Sequence, residues 1–412
     1  MSLIRAKPLM IILVMAILVT IPCVSCAPEP APPPEEPPTA VAPDKIIIPV
    51  AVDLSGPYSM QNQMVIDGLT DCLGYVNEMG GVKGVPLEFV IRDTAGKPDN
   101  AVTIFNEFVN MDPKPALVSF LDTQVGVALK DRFTEDQVVS IMGIGSTPAL
   151  YPAGYTFAIS TENGDQFGLF CDWLVEKEAP KQPKLAILTW DNVFGNVILE
   201  QRCLDYAESV GVDIVAKEVF NVTDVDVSAQ LRRIKDAGAE WIYTNTVLIG
   251  PPRIANDAAT HGMTDDFNFG VAGVAMNYAT MALGGGMEGW VGPSPWVSWD
   301  EADIQGVQVM DEQFQKNERD PADRQNVYIG SFIASLLMKQ AFTEVVEEFG
   351  WDGLTGANLK QVLENTKDFD AMGLTKISFS KELRHGLYCK MYEMSQGKIL
   401  PITDWTKAPH LE

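Results

Sequence analysis

The sequence predicts an α/β protein of two lobes, each a parallel sheet covered by helices on both faces. Three observations point there. From Lys45 onward, short apolar runs alternate with longer amphipathic stretches, and this alternation runs through twice. The runs are apolar almost without interruption, as strands buried on both faces must be. The chain has 412 residues, and at roughly 100–200 residues per domain that length suits two cores rather than one.

Composition narrows the function classes. Lys and Arg number 30 against 55 Asp and Glu, a formal charge of −25, with 46% hydrophobic and 21% charged residues. This mix excludes a polytopic membrane protein, a collagen-like chain and wholesale disorder. So acidic a chain is not expected to bind nucleic acid, because a phosphate backbone needs a basic footprint.

At the start, Arg5 and Lys7 precede an uncharged apolar run from Leu9 to Ile21. The run is too short to span a bilayer and suits the apolar part of a secretory signal. A buried core helix would also be apolar, but the basic flank and the polar tract that follows favour export. Cys23-Val24-Ser25-Cys26 comes next and resembles a bacterial lipobox, with Cys23 where Leu is usual and Val24 where a small residue is usual. That resemblance implies cleavage before Cys26 and lipidation of its thiol. Ala27–Pro43 holds 8 of the 27 prolines, so it is expected to be a semi-rigid spacer at roughly 3 Å per residue. Losing residues 1–25 removes Arg5 and Lys7 and leaves a charge of −27. Cys72, Cys171, Cys203 and Cys389 remain; their spacing does not select a pairing.

In the first lobe, Ile46–Val52, Leu87–Ile91, Ala116–Phe120 and Val138–Ile144 read as strands. Gln61–Met79, Asp99–Met111 and Thr123–Thr134 read as the helices between them, the first with Met64, Leu69, Leu73 and Val76 at helical spacing and Gly80-Gly81 as its stop. Pro49 fits poorly in a central strand. In the second lobe, Leu185–Thr189, Ile214–Phe220, Trp241–Tyr243 and Phe267–Ala272 are strands. Their helices are Asp165–Glu178, Gly195–Val210, Val227–Ala237 and Pro251–His261. Beyond Gly284-Gly285-Gly286 come helices at Asp300–Arg319, Asn326–Phe349 and Gly356–Glu364. Antiparallel strands are expected at Ile377–Ser380, Leu387–Met394 and Ile399–Thr403.

Catalytic and cofactor motifs are scarce. Gly284–Gly289 spells G-x-G-x-x-G, but it follows no first strand and opens no helix, so it does not read as a dinucleotide site. The histidines, His261, His385 and His410, are far apart in sequence, which speaks against a His-based triad or zinc site. The expectation is a binding protein with no cofactor and no metal, not an enzyme. Asn221-Val222-Thr223 is a glycosylation sequon by spelling only.

Ligands of open α/β sheets bind beyond the carboxyl ends of the strands. The loops there are Leu54–Tyr58, Asp122-Thr123 and Gly145–Pro148 in the first lobe, and Trp190–Gly195, Thr244–Thr246 and Ala272–Ala275 in the second. Several carry hydroxyls and open helices, whose free N–H groups favour a carboxylate. Any one of them alone reads equally as an N-cap or a turn. Their recurrence at equivalent places makes the case.

These stretches resemble the type I periplasmic solute-binding proteins of the branched-chain amino-acid ABC-importer group, from about Lys45 to Thr403. The matching segments are LSGPY (54–58), YVNEMGGVKGVPLEFVIRD (75–93), GSTPALYPAGYTF (145–157), DNVFG (191–195), DVSAQLRRIKDAGAEWIY (226–243) and RHGLYCKMYEMSQGKILPI (384–402). The resemblance implies two Rossmann-like, doubly wound lobes joined by three crossovers, near Ile159–Thr161, Val291–Pro295 and Met372–Thr375. It implies a signal peptide at 1–25, a lipidated cysteine and linker at 26–44, one lobe from 45–160 plus 295–372, and another from 161–294 plus 373–412. Ligand would sit between the lobes, held at its carboxylate by Asp122, Thr123, Gly145, Ser146 and Thr147. Gly145 and Ser146 would also meet an ammonium group, and Phe194 would lie over the ligand. Tyr58, Gln61, Trp190, Asp191, Asn245, Thr246 and Gly273 complete the expected lining. The family's acidic partner for an ammonium is missing, since the loop after Trp241–Tyr243 reads Thr244-Asn245-Thr246-Val247. The expected ligand is therefore a small carboxylate or amide, with amino acids kept open through Asp122 or Asp191. The implied partner is an ABC permease, the expected state a monomer, and the expected location the periplasm or cell surface, tethered by the lipid alone. Presentation of ligand to a membrane receptor is the second function class.

Overall fold

The computed structural model describes residues 41–120 and 123–411. The expected signal peptide, Cys26, most of the proline-rich linker and Asp122 lie outside the described residues. The first sheet draws on β1 (Ile46–Val52), β2 (Leu87–Asp93), β3 (Leu117–Phe120), β4 (Val139–Met142) and β5 (Thr156–Thr161). The second begins with β6 (Lys184–Trp190), β7 (Asp213–Phe220), β8 (Trp241–Thr244), β9 (Asn268–Val271) and β10 (Val291–Ser294). The chain then returns for β11 (His385–Gly386), β12 (Tyr388–Ser395), β13 (Lys398–Pro401) and β14 (Thr406–Lys407). The sheet orders are β11-β5-β4-β3-β1-β2 and β13-β12-β10-β9-β8-β6-β7, with β14 beside β12. All pairings in the first sheet are parallel, and only those of β12 are antiparallel in the second.

The two predicted runs of strand and helix are present. Pro49 is accommodated because, among the described residues, pairing of β1 to β3 takes in Val50 and Ala51, while Pro49 registers with Val90 on β2. Several expectations are corrected. Ile159–Thr161 and Val291–Pro295, read as crossovers, fall largely within buried strands, Thr156–Thr161 and Val291–Ser294, that lead into crossovers. Ile377–Ser380 is not a strand; Ile377 makes a single bridge to Phe369. The return crossover, expected near Met372–Thr375, falls between Gly386 and Tyr388. His385 and Gly386 pair with β5, so the chain joins the first sheet again before passing to the second. Two residues, one a buried histidine, leave no apolar signature. The expected helix Gly195–Val210 breaks into Val193–Asn196, a 3-10 turn at Val197–Leu199 and Gln201–Val210, with extended Glu200 between. The helix expected at Asp300–Arg319 shrinks to Gln305–Lys316.

Helix Asn326–Phe349 is long and apolar enough to cross a membrane, yet 67% of its most apolar window is buried. It packs along helix Ser59–Glu78. Gly68 permits the close approach, since a Cβ there would lie 2.4 Å from the Tyr328 carbonyl oxygen. Beside this contact Asp71, 3% exposed, accepts from Arg319 at 2.6 and 3.1 Å and from the Tyr328 hydroxyl at 2.9 Å. Arg319 also reaches Asp67 at 2.8 Å. Cys72, Cys171, Cys203 and Cys389 are buried free thiols. Burial pushes Cys203 and Cys389 up to about 12.

Replacing Arg319 by Met leaves the Asp71 carboxylate buried beside a single hydroxyl, so unfolding in urea should show a loss on the order of 3 kcal/mol. The four buried thiols should resist a thiol reagent in the native protein and react on unfolding.

Candidate functional site

The first sheet runs β2-β1-β3-β4-β5 and the second runs β7-β6-β8-β9-β10, the same winding twice. In each, strand order reverses at one place, between β1 and β3 and between β6 and β8. There the crossover helices diverge to opposite faces and leave a crevice at the strands' carboxyl ends. Helix Thr123–Glu135, which opens just after β3, is in contact with Val193–Asn196, the turn that follows β6. The two crevices thus face each other.

On the first side, Asp53 closes the loop after β1 by accepting from Gly56 N at 2.5 Å and Tyr58 N at 3.0 Å. Tyr58 and Gln61 stand half-buried on that rim. Thr123 begins its helix. After β4, Gly145 N donates to Ser160 Oγ at 3.4 Å. Ser146 is fully buried, makes no side-chain cap on Thr147–Leu150, and its Oγ has no partner among the described residues. Thr147 N donates across to Glu162 Oε1 at 3.3 Å.

On the second side, β6 ends in buried Trp190, whose Nε1 is unpaired among the described residues. Asn192 does cap its turn, accepting from Gly195 N at 2.8 Å. Gly195 is required, since a Cβ would stand 2.1 Å from the Trp190 carbonyl oxygen. Phe194 is held half-buried, its carbonyl accepting from Asn245 Nδ2 at 2.7 Å. Thr189 Oγ1 lies 3.1 Å from Gly195 O and 3.0 Å from Asn245 O, bracing the two loops. Asn245 is fully buried and its Oδ1 has no partner among the described residues. Thr246 shares a 2.9 Å hydroxyl contact with Thr244. Asp191 is exposed and accepts from Asn196 at 3.2 Å. Both polar groups of Gly273 are engaged, its N–H to Gln166 at 3.1 Å and its carbonyl to Asn326 at 2.9 Å.

The residues that follow β5 at the first crossover are not among the expected site residues. Glu162, 1% exposed, caps helix Asn163–Glu178, accepting from Gly164 N at 2.7 Å and Asp165 N at 3.3 Å. Arg202 lies 3.3 Å from both its oxygens. Burial pushes this carboxyl above its usual range, and Arg202 draws it back. Next to it Asn163 is buried with neither amide atom paired among the described residues. The structure also gathers two of the three histidines, His385 and His410, around Asp165. No sequence spacing announces that meeting.

Two α/β lobes with facing switch-point crevices and three crossovers define a two-lobed, type I periplasmic binding architecture. The sequence profile of the periplasmic binding protein family matches residues 45–396, and the chain belongs to that family. It is 25% identical over 261 residues to the leucine-, isoleucine-, valine-, threonine- and alanine-binding protein of Pseudomonas aeruginosa, covering 62% of this chain and 68% of the relative. A branched-chain amino-acid ABC transporter structure from Thermus thermophilus with bound valine superposes with a TM-score of 0.81 at 20% identity, covering 89% of this chain and 98% of the other. A Rhodopseudomonas palustris solute-binding protein in complex with 3,4-dihydroxybenzoic acid gives 0.75 at 17%, covering 90% and 99%.

A buried hydroxyl without a partner costs stability. Ser146→Ala should therefore leave the ligand-free protein as stable as before, or more so by about 1 kcal/mol, in urea unfolding. Thr189→Val strands two loop carbonyls and should cost about 1–3 kcal/mol in the same assay.

Proposed function

We propose that this protein captures a small carboxylate-bearing solute between its lobes, closes on it through the three crossovers, and delivers it to an ABC permease. The observation that carries this reading is the pair of facing crevices, each with a buried polar atom without a partner among the described residues: Ser146 Oγ, which can donate to a carboxylate, on one side, and Asn245 Oδ1, which can accept from a hydroxyl or N–H of the same solute, on the other. The hinge runs through Thr161–Asn163, Ser294–Trp296 and Gly386–Tyr388, with 45–160 and 295–386 moving as one lobe and the rest as the other. Closure of this kind buries the ligand and removes water from around its charge. The mature protein begins at lipidated Cys26, and the proline-rich stretch holds it close to the membrane outside the cytoplasm. Binding and release, with no bond made or broken, suffice for this task.

The finer choice of ligand rests on Asn245. An ammonium buried against an amide rather than an acid forgoes a charge pair, which costs roughly 2–5 kcal/mol. That is about 30-fold to several thousand-fold in affinity. Of the acids nearby among the described residues, Glu162 is committed to Arg202 and its own helix, and Asp191 is exposed. A carboxylate with a neutral donor, a hydroxyl or amide N–H, toward Asn245 Oδ1 therefore fits better than an α-amino acid. The second reading, a branched-chain amino acid, draws support from the Pseudomonas aeruginosa relative and the valine-bound Thermus thermophilus structure. The dihydroxybenzoate complex shares the same fold and supports the first.

A thermal-shift screen of organic acids against amino acids separates the two. A true ligand at a hundredfold excess over its Kd adds about 2.7 kcal/mol of stability, several degrees in Tm. Organic acids should give that shift, and a shift with leucine or valine alone would overturn the carboxylate reading. Asn245→Asp should weaken binding of an organic acid at least tenfold by adding a second negative charge to the closed cleft. Scattering should show the radius of gyration falling on addition of the ligand so found.

A further inference from the structure

Three chain segments that are remote in sequence converge at Asp165, in the first turn of helix Asn163–Glu178. His385 arrives from β11, just before the third crossover, and His410 from the C-terminal tail. Asp165 Oδ2 lies 3.6 Å from His385 Nε2 and 3.3 Å from His410 Nδ1. The ligand atoms of all three residues lie within 4.8 Å of one another. Asp165 and His385 are each about 1% exposed in their side chains, whereas His410 is 29% exposed and opens the cluster to solvent.

The proton inventory at His385 is the telling feature. Its Nδ1 lies 2.7 Å from the Gly386 carbonyl oxygen. A carbonyl only accepts, so Nδ1 carries the hydrogen and Nε2 presents a lone pair. That Nε2 is buried without a hydrogen-bond partner among the described residues. It faces Asp165 Oδ2, an acceptor that is also within hydrogen-bond reach of His410 Nδ1, at a separation too long for a hydrogen bond. Two acceptors held face to face in a buried site ask for a cation between them.

The spacing fits one. Donors around a tetrahedral zinc ion, at about 2.0–2.1 Å from the metal, stand roughly 3.4 Å apart, between the two distances observed. A metal-bound histidine almost always anchors its other ring nitrogen on a carbonyl or carboxylate, and the Gly386 carbonyl is in that position. Asp165 is anchored likewise, its Oδ1 accepting from Leu411 N at 2.8 Å. Two imidazoles and one carboxylate select borderline divalent transition metals over magnesium or calcium, which demand more oxygen donors.

We propose that Asp165, His385 and His410 form a site for a divalent transition-metal ion of the zinc class, its fourth position open to water beside His410. The ion would tie together the helix entered from the first crossover, the strand that precedes the third, and the C-terminal tail. It would stiffen the hinge without touching the ligand crevice, so the proposal stands apart from the choice of solute.

The test is a titration of chelator-stripped protein with zinc against a chromophoric competitor. The full chain is used, carrying Cys23→Ser and Cys26→Ser so that those thiols do not compete. One equivalent should bind, unaffected by excess magnesium, with a rise in Tm. His410→Gln, at a partly exposed position, and Asp165→Asn, which keeps the shape and the Leu411 contact, should each weaken binding at least tenfold and abolish the rise in Tm. Circular dichroism of the metal-free variants checks that they are folded. Absence of zinc binding, or one-equivalent binding of equal strength in both folded variants, would overturn the proposal.

Discussion

The arrangement depends on one buried carboxylate. Glu162 stands where the chain leaves β5 and enters the second lobe, and it serves both sides at once. It receives Thr147 N from the rim of the first sheet, and Gly164 N, Asp165 N and Arg202 from the second lobe. A buried charge must have every lone pair engaged or it destabilises the fold. Meeting that requirement fixes the start of helix Asn163–Glu178 and seats Arg202, which also donates to the Leu411 carbonyl at 2.7 Å. The first crossover is therefore a joint with defined donors on both sides, and the loops carrying Ser146 and Asn163 are positioned from it.

Much of this fold could be read from apolar runs, because buried parallel strands advertise themselves on both faces. β1 emerged with its bounds intact, and so did helix Asn326–Phe349. What stayed hidden were elements whose identity is set by neighbours and not by their own pattern. β5 and β10 read as crossovers because each runs directly into one. The two-residue β11 is a strand only because β5 offers it an edge. Expected helix Gly195–Val210 breaks at extended Glu200, beside Arg202, whose long-range partners Glu162 and Leu411 no local periodicity contains.

The site was legible in a different way. The rule that ligands gather beyond strand ends picked out loops in which the structure sets two side chains, Ser146 and Asn245, with atoms buried and unpaired among the described residues. The rule could not distinguish roles within a loop. Asn192 spends its side chain on capping, Gly273 spends its backbone on joining two segments, and Asp191 points to solvent. Asn163 and the histidine cluster lie off that map altogether, since crossovers carry no strand-end signature and distance in sequence says nothing about distance in space.

The pairing of β11 with β5 has a bearing on how the chain acquires its shape. Thr161 and Tyr388, 227 positions apart, meet at this joint, and the sheet begun at Ile46 gains its last strand only at His385. Neither half can be completed while the polypeptide is still being made, because the second half lies within the gap in the first. Closing so long a loop late is slow on topological grounds. For an exported chain this order means that both sheets are completed only when the last strands have arrived.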